Sequence, residues 1–238
     1  MLLQAAINGA RSPAEHSALP VQPDQLAAAA RVCAAAGAGA VHFHVRAGNG
    51  SESLAAADVA RAVTAVRGAC RGTPLGISTG AWIEPDPDRR LALVRRWHLL
   101  PDYASVNFDE AGAVEIAEEL LEIGVGVEAG LSGVAAAQSL LRSGLEDRCL
   151  RVLLEPQEQD PPAALDTVAG ILRTLGPSES APRLLHGVDA TAWPLLREAV
   201  RRGYDARIGL EDTLRLPDGE AAGDNLELVR TAKTWISG

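Results

Sequence analysis

Eight short apolar runs, each followed by a longer amphipathic stretch, set the strongest limit on how this chain can fold. The runs are Leu2–Asn8, Ala40–Arg46, Leu75–Thr79, Tyr103–Phe108, Val125–Ala129, Arg151–Glu155, Arg183–Val188 and Ala206–Leu210. Their length and lack of helical spacing predict strands. The stretches near residues 23–37, 56–70, 86–99, 112–123, 132–143, 162–175, 191–202 and 223–236 carry the periodicity of helices packed on one face. Pro23-Asp24 and Pro87-Asp88 suit first turns, and Gly37, Gly124 and Gly203 suit helix stops. Strand–helix units repeated eight times predict a closed parallel (β/α)8 barrel, with an open doubly wound sheet as the runner-up. No linker interrupts the pattern, so residues 1–238 read as one α/β domain.

Charge and cysteine usage narrow the function classes. The chain has 22 basic and 31 acidic residues, a net charge of −9, with no Lys/Arg run. That disfavours a nucleic-acid or anionic-membrane surface. Apolar stretches are broken before about 18 residues accumulate, so no membrane span is expected. The first residues lack the basic and apolar regions of a signal peptide. Cys33, Cys70 and Cys149 are odd in number, without a CxxC, and read as reduced thiols of a cytoplasmic protein.

A parallel barrel places its active site at the C-terminal ends of the strands, so polar residues late in each run are the candidates. They are Asn8, His42, His44, Arg46, Ser78, Thr79, Ser105, Asn107, Glu128, Glu155, His186, Glu211 and Asp212. Strand alternation puts His42, His44 and Arg46 on one face and Val41, Phe43 and Val45 on the other. Two imidazoles at i and i+2 can converge on one metal; alone, they read equally well as hydrogen-bonded core histidines. Three polar groups inside a barrel are costly unless they work, which favours the metal. Arg207, Gly209 and Glu211 share a face of the last run. Two even-numbered strands contribute to one interior layer, so Glu211 can complete a His2Glu set with a fourth position open. Ser78-Thr79-Gly80 reads as a carboxylate or phosphate contact or as a plain turn, and Ser105 and Asn107 read as substrate contacts. His16 and His98 read as structural or solvated, and the four tryptophans as packing.

Five segments together carry a family resemblance: Ala6-Ile7-Asn8-Gly9-Ala10, the HxHxR of residues 37–46, Ile77-Ser78-Thr79-Gly80, Ala104-Ser105-Val106-Asn107 and the RxGxED of residues 207–212. In this order the chain resembles the β-keto acid cleavage enzymes. The resemblance implies a zinc-dependent TIM barrel that converts a β-keto acid and acetyl-CoA into acetoacetate and a new acyl-CoA, and a homo-oligomer, usually a tetramer. It places zinc on His42, His44 and Glu211, and a general base on Asp212 assisted by Arg207 and Glu128. It places substrate contacts on Ser78 and Ser105, to which the strand-end reading adds Asn107 and Arg46, and the position of a family substrate-contacting residue adds Arg11. Zinc would polarise the ketone as a Lewis acid, and a carboxylate base would generate a carbanion.

The departures shape the expected substrate. Arg11 stands where the family has a glutamate for a substrate amine, so a neutral or acidic tail is expected. The family's glycine-rich loop after strand six is replaced by residues 155–162, an acidic segment ill suited to phosphates. His186, ending strand seven, reads as a pocket wall or a new acid/base group. The alternative function is therefore a metal-dependent hydrolase or lyase acting on a keto acid without CoA, and a metal-binding barrel without catalysis is a third reading.

Overall fold

The computed structural model describes residues 1–177 and 181–236. Eight parallel strands close into a barrel in sequence order, β1 pairing with both β2 and β8. The strands are β1 (Leu3–Ala6), β2 (Ala40–Phe43), β3 (Leu75–Ser78), β4 (Tyr103–Asn107), β5 (Gly126–Leu131), β6 (Arg151–Leu154), β7 (Arg183–Leu185) and β8 (Asp205–Ile208). Around them lie α1 (Pro23–Ala35), α2 (Ala56–Ala69), α3 (Pro87–Val94), α4 (Ala113–Glu122), α5 (Val134–Ser143), α6 (Pro161–Leu175), α7 (Ala192–Arg202) and α8 (Asn225–Ile236). The (β/α)8 class is as the sequence implied, and the open sheet is excluded.

The apolar core lies between sheet and helices. Val41, Phe43, Ile77, Val106, Val127 and Ile208 point outward and join it, fully or almost fully buried. The barrel interior is instead partly polar. Gln4 donates to the Tyr103 hydroxyl (3.0 Å) and to Glu128 (2.7 Å), and Arg151 pairs with Glu128 (3.1 Å) while lying over the Tyr103 ring. Six strands lie wholly inside their expected runs; β8 starts one residue early and β5 runs two residues further. Consequently His44, His186 and Glu211 sit just beyond strands, on chain that can turn toward the mouth.

Two boundaries differ more. The helix expected over 86–99 stops at Val94. Its start is as expected: the Asp86 carboxylate accepts from the amides of Asp88 and Arg89, and Pro87 opens the helix. At the other end Trp97 is pulled out of helical register by burial and by its indole bond to the Leu54 carbonyl (2.9 Å). β5 runs on to Leu131, so Glu128 is a mid-strand residue, hydrogen-bond partner to the barrel interior, and not a strand-end residue.

Candidate metal centre and active-site cavity

Asn8, just after β1, holds the end of β2 in place. Its side chain accepts from the His44 amide (2.8 Å) and donates to the His44 carbonyl (2.9 Å). From the other side of β1, the chain after β8 turns at once: the amides of Asp212 and Thr213 both bond back to the Gly209 carbonyl. A Cβ on Gly209 would overlap the Ala6 backbone, so only glycine lets this turn close against β1. Gly9, at φ +59°, likewise leaves the space that the Glu211 side chain fills.

These contacts bring His42, His44 and Glu211 together. Their potential ligand atoms all lie within 4.8 Å of one another. His42 Nε2 is 3.9 Å and His44 Nε2 3.4 Å from the Glu211 carboxylate oxygens. The edge of a tetrahedron with bonds of about 2.1 Å is roughly 3.4 Å, so the set fits a four-coordinate divalent ion with one position left over. The buried Glu211 Oε2 has no hydrogen-bond partner, as expected of an atom made for an ion. Glu52 holds His44 Nδ1 at 2.5 Å, which directs Nε2 to the metal position. Glu52 also accepts from the Trp82 indole (3.0 Å), and the Trp82 ring stacks near His44 with centroids 6.0 Å apart. Burial opposes a charge on His44, but Glu211 and Glu52 outweigh it and lift its pKa to about 9. Burial instead pushes His42 down to about 3.

A cavity of about 550 Å³ opens over this centre. Ser78, Ser105, Asn107, Arg11 and Arg207 line it, as does His186. Arg207 is held by two carboxylates: it bonds Glu211 and reaches Asp212 at 2.8 and 3.0 Å. Asp212 is buried behind Arg207 and His186, whose Nδ1 lies 3.6 Å away, and does not itself line the cavity. Burial raises the Asp212 carboxyl above its usual range, against the pull of Arg207. The turn demanded for an inward Asp212 therefore exists, but it buries the carboxylate one layer below the surface of the pocket.

Two expected site residues, Arg46 and Glu128, stand outside the cavity, and a third, Arg11, lines it with its charge already paired. Arg46 does not reach the cavity; its guanidinium donates to the carbonyls of Gly9, Arg11 and Gly50, and so clamps the loop after β1. The strand ends at Phe43, so alternation no longer aims residue 46 inward. Glu128, expected to assist the base from a strand end, does not line the cavity; it lies in the Gln4–Arg151 network inside the barrel. Arg11 does line the mouth, but it is paired with Asp189 (2.5 Å) and Glu15 (3.5 Å) and donates to the Glu211 carbonyl. Its charge is already compensated, which removes the argument for an anionic substrate tail.

The sequence reading missed Glu52 and Trp82. Asn49-Gly50 is a strong turn signal that returns Glu52 beside Arg46 and His44, and it could have pointed to Glu52. Trp82 is half exposed in the cavity wall, whereas Trp97 and Trp193 are buried packing as expected. His16 is structural, bonded to the Ala222 carbonyl (2.8 Å), and the three cysteines are free and buried. No described helix is long and apolar enough to cross a membrane.

Comparison with known proteins agrees with this geometry. The model of the β-keto acid cleavage enzymes matches residues 1–122 and 132–237. The 3-keto-5-aminohexanoate cleavage enzyme of Acetoanaerobium sticklandii is 24% identical over 246 residues, covering 96% of this chain and 89% of its own. Among solved structures, apo ObcA superposes with a TM-score of 0.70 at 17% identity, over 91% of this chain and 61% of its own. The type I 3-dehydroquinate dehydratase of Clostridium difficile gives 0.64 at 12% identity, over 99% and 90%. At such identities both attest the barrel alone. With the family model spanning nearly the whole chain, and a relative alike from end to end, the protein belongs to the β-keto acid cleavage enzymes.

Proposed function

We propose that the protein is a zinc-dependent enzyme that condenses a β-keto acid with acetyl-CoA and cleaves the product to acetoacetate and a new acyl-CoA. The observation that carries this reading is the triad of buried His42 and His44 with the partly exposed Glu211, at the floor of a cavity lined by Ser78, Ser105 and Asn107. Two nitrogens and one carboxylate oxygen, with a position open, suit zinc in a catalytic setting. The ion would supply Lewis-acid polarisation of the substrate ketone. Ser78, Ser105 and Asn107 offer hydroxyl and amide groups to orient the acid.

The reaction balances without a redox partner. A base removes a proton from the carbon between ketone and carboxylate, and that carbon bonds to the acetyl carbonyl, expelling the CoA thiolate. The thiolate attacks the original ketone, the old carbon–carbon bond breaks, and the proton returns to the carbon of acetoacetate. Asp212 is the base in this scheme, kept oriented by Arg207, and burial, by raising its pKa, makes its carboxylate the stronger base. A second assignment has a specific observation behind it: His186 lines the cavity and Asp212 does not, so His186 would meet the substrate with Asp212 behind it.

The test is a turnover assay with acetyl-CoA and a panel of β-keto acids, run with and without CoA thioester. Acetoacetate formation that requires acetyl-CoA is the expected result. Turnover that ignores CoA would make the protein a metal-dependent hydrolase or lyase. That alternative draws support from the cavity's two arginines, Arg11 and Arg207, both already paired with carboxylates.

A further inference from the structure

The turn that carries Glu211 and Asp212 ends in two carbonyl groups that it cannot satisfy by itself. β8 stops at Ile208, and the amides of Asp212 and Thr213 bond back to Gly209, so the chain coils once as a helix would. The last carbonyls of such a coil have no partner within it. Both find donors on other loops. Arg11 Nε, from the loop after β1, donates to the Glu211 carbonyl (3.1 Å), and the Asp189 amide, from the loop after β7, donates to the Asp212 carbonyl (2.6 Å). The two donors are themselves joined, Arg11 Nη2 to the Asp189 carboxylate at 2.5 Å. We propose, resting on the metal reading above, that Arg11 and Asp189 form a strap across the mouth that positions the Glu211–Asp212 turn. Neither is a catalytic residue in this assignment; both act through the peptide they hold.

An independent observation comes from the backbone of Asp189. Among the described residues it is the one non-glycine residue at positive φ, +49°. That conformation is strained for an L residue and persists only where the surrounding bonds hold it. Here the bonds are its amide to Asp212 and its carboxylate to Arg11. Both ends of the strap are anchored in turn. Arg46 donates to the carbonyls of Gly9 and Arg11, and Thr191 bonds the backbone of Val188 on either side of its hydroxyl, at 3.1 and 3.0 Å.

A surface ion pair alone would not do this. The Asp189 side chain is 54% exposed, and attraction between such groups is weak. What distinguishes the strap is that each partner also holds one of two consecutive carbonyls, so a ring closes from Glu211 through Arg11 and Asp189 to Asp212. Fixing that peptide from outside leaves both carboxylates free to face inward, where Arg207 bonds them together. A site held in this way before the ion arrives has less ordering to do on binding.

The test measures two quantities on the full chain: hydrogen exchange at the buried Asp212 and Thr213 amides, and zinc affinity by chelator competition. Arg11→Met removes the guanidinium, and Asp189→Gly removes the carboxylate while accepting the positive φ. Each should speed exchange at both amides and weaken zinc binding about three- to tenfold, the scale of one hydrogen bond. The double variant should lose no more than Arg11→Met alone, because the two side chains act as one unit. Exchange and affinity unmoved in both single variants, or losses that simply add, overturn the proposal. Should Arg11→Met fail to fold, Asp189→Asn, which tolerates positive φ and changes an exposed side chain, decides by the same two measurements. Neither measurement uses turnover. Weakened zinc binding in the variants of a protein without CoA-dependent cleavage therefore counts against the β-keto acid reading alone. Unmoved variants of an active enzyme count against the strap alone. A wild type that takes up no zinc refutes the metal reading, and the exchange rates then decide the strap.

Discussion

Of the three proposed metal ligands, His44 is held by partners that the ligand pattern does not contain. Asn8 fixes the His44 backbone, and Glu52 fixes its ring through Nδ1. His44→Ala should lose metal and activity together, because two ligands hold an ion far less tightly than three; full metal occupancy in that variant would refute the assignment. Glu52→Gln should leave the fold intact and weaken metal affinity about 10–100-fold, the usual effect of losing a carboxylate behind a ligating histidine. Competition against a chelator of known affinity checks it, with an unchanged constant rejecting the role. Asp212→Asn should retain metal and lower turnover roughly 10²–10⁴-fold if Asp212 is the base. Loss of metal would instead make it a support for Arg207, and near-normal turnover would transfer the proton chemistry to His186.

At the scale of elements, the turn after β8 matters most. It exists because Gly209 can pass against the Ala6 carbonyl, and it places Glu211 at the metal position while folding Asp212 back to Arg207. Gly209→Ala should destabilise the fold by about 1–3 kcal/mol, the usual cost of forcing extra volume into packed structure, and should disturb metal binding as well. Denaturant unfolding of the metal-loaded and stripped forms checks both effects. On α7 a different element-level effect is legible. Arg201 and Arg202 donate to Glu198 at 2.6–2.7 Å and draw its pKa down to about 2 from the usual 4.5. A carboxyl depressed on folding stabilises above the unfolded value and loses that contribution as pH falls through the folded one. Glu198→Gln should therefore cost about 0.5–1 kcal/mol near pH 7, a figure discounted for the exposed arginines. The difference from wild type should shrink between pH 4.5 and about 2. A difference constant with pH would show that packing, not charge, is responsible.

For the whole molecule, the apolar core lies between barrel and helices and does not depend on the metal. Removing the ion should thus lower the melting temperature without unfolding the chain. Mass action gives about 2.7 kcal/mol of stabilisation at a free metal concentration 100 times Kd. A melting temperature indifferent to zinc and chelator would argue against a specific site in the native state. Inside the barrel, the Gln4–Glu128–Arg151 network occupies the interior, with Tyr103 beside it.

Local order was legible because strand and helix spacing are properties of nearby residues. Eight runs of the right length, the HxH pair and the late position of Glu211 were enough for the barrel, its order and the grouping of His42, His44 and Glu211. Periodicity failed where the chain leaves its strand. Beyond Phe43 alternation no longer governs direction, so Arg46 turned to clamp a loop; β5 ran on to Leu131, so Glu128 sank into the floor. Side-chain partners across the barrel were likewise beyond reach. That Arg11 is tied to Asp189, 178 positions away, and that Asn107 and Glu155 meet over Gly130, follow from strand register and loop path. Sequence alone determined which elements form and in what order, because those depend on local spacing of apolar groups. The charge each side chain presents to the cavity was decided only by tertiary structure, because it depends on which distant groups have already neutralised it.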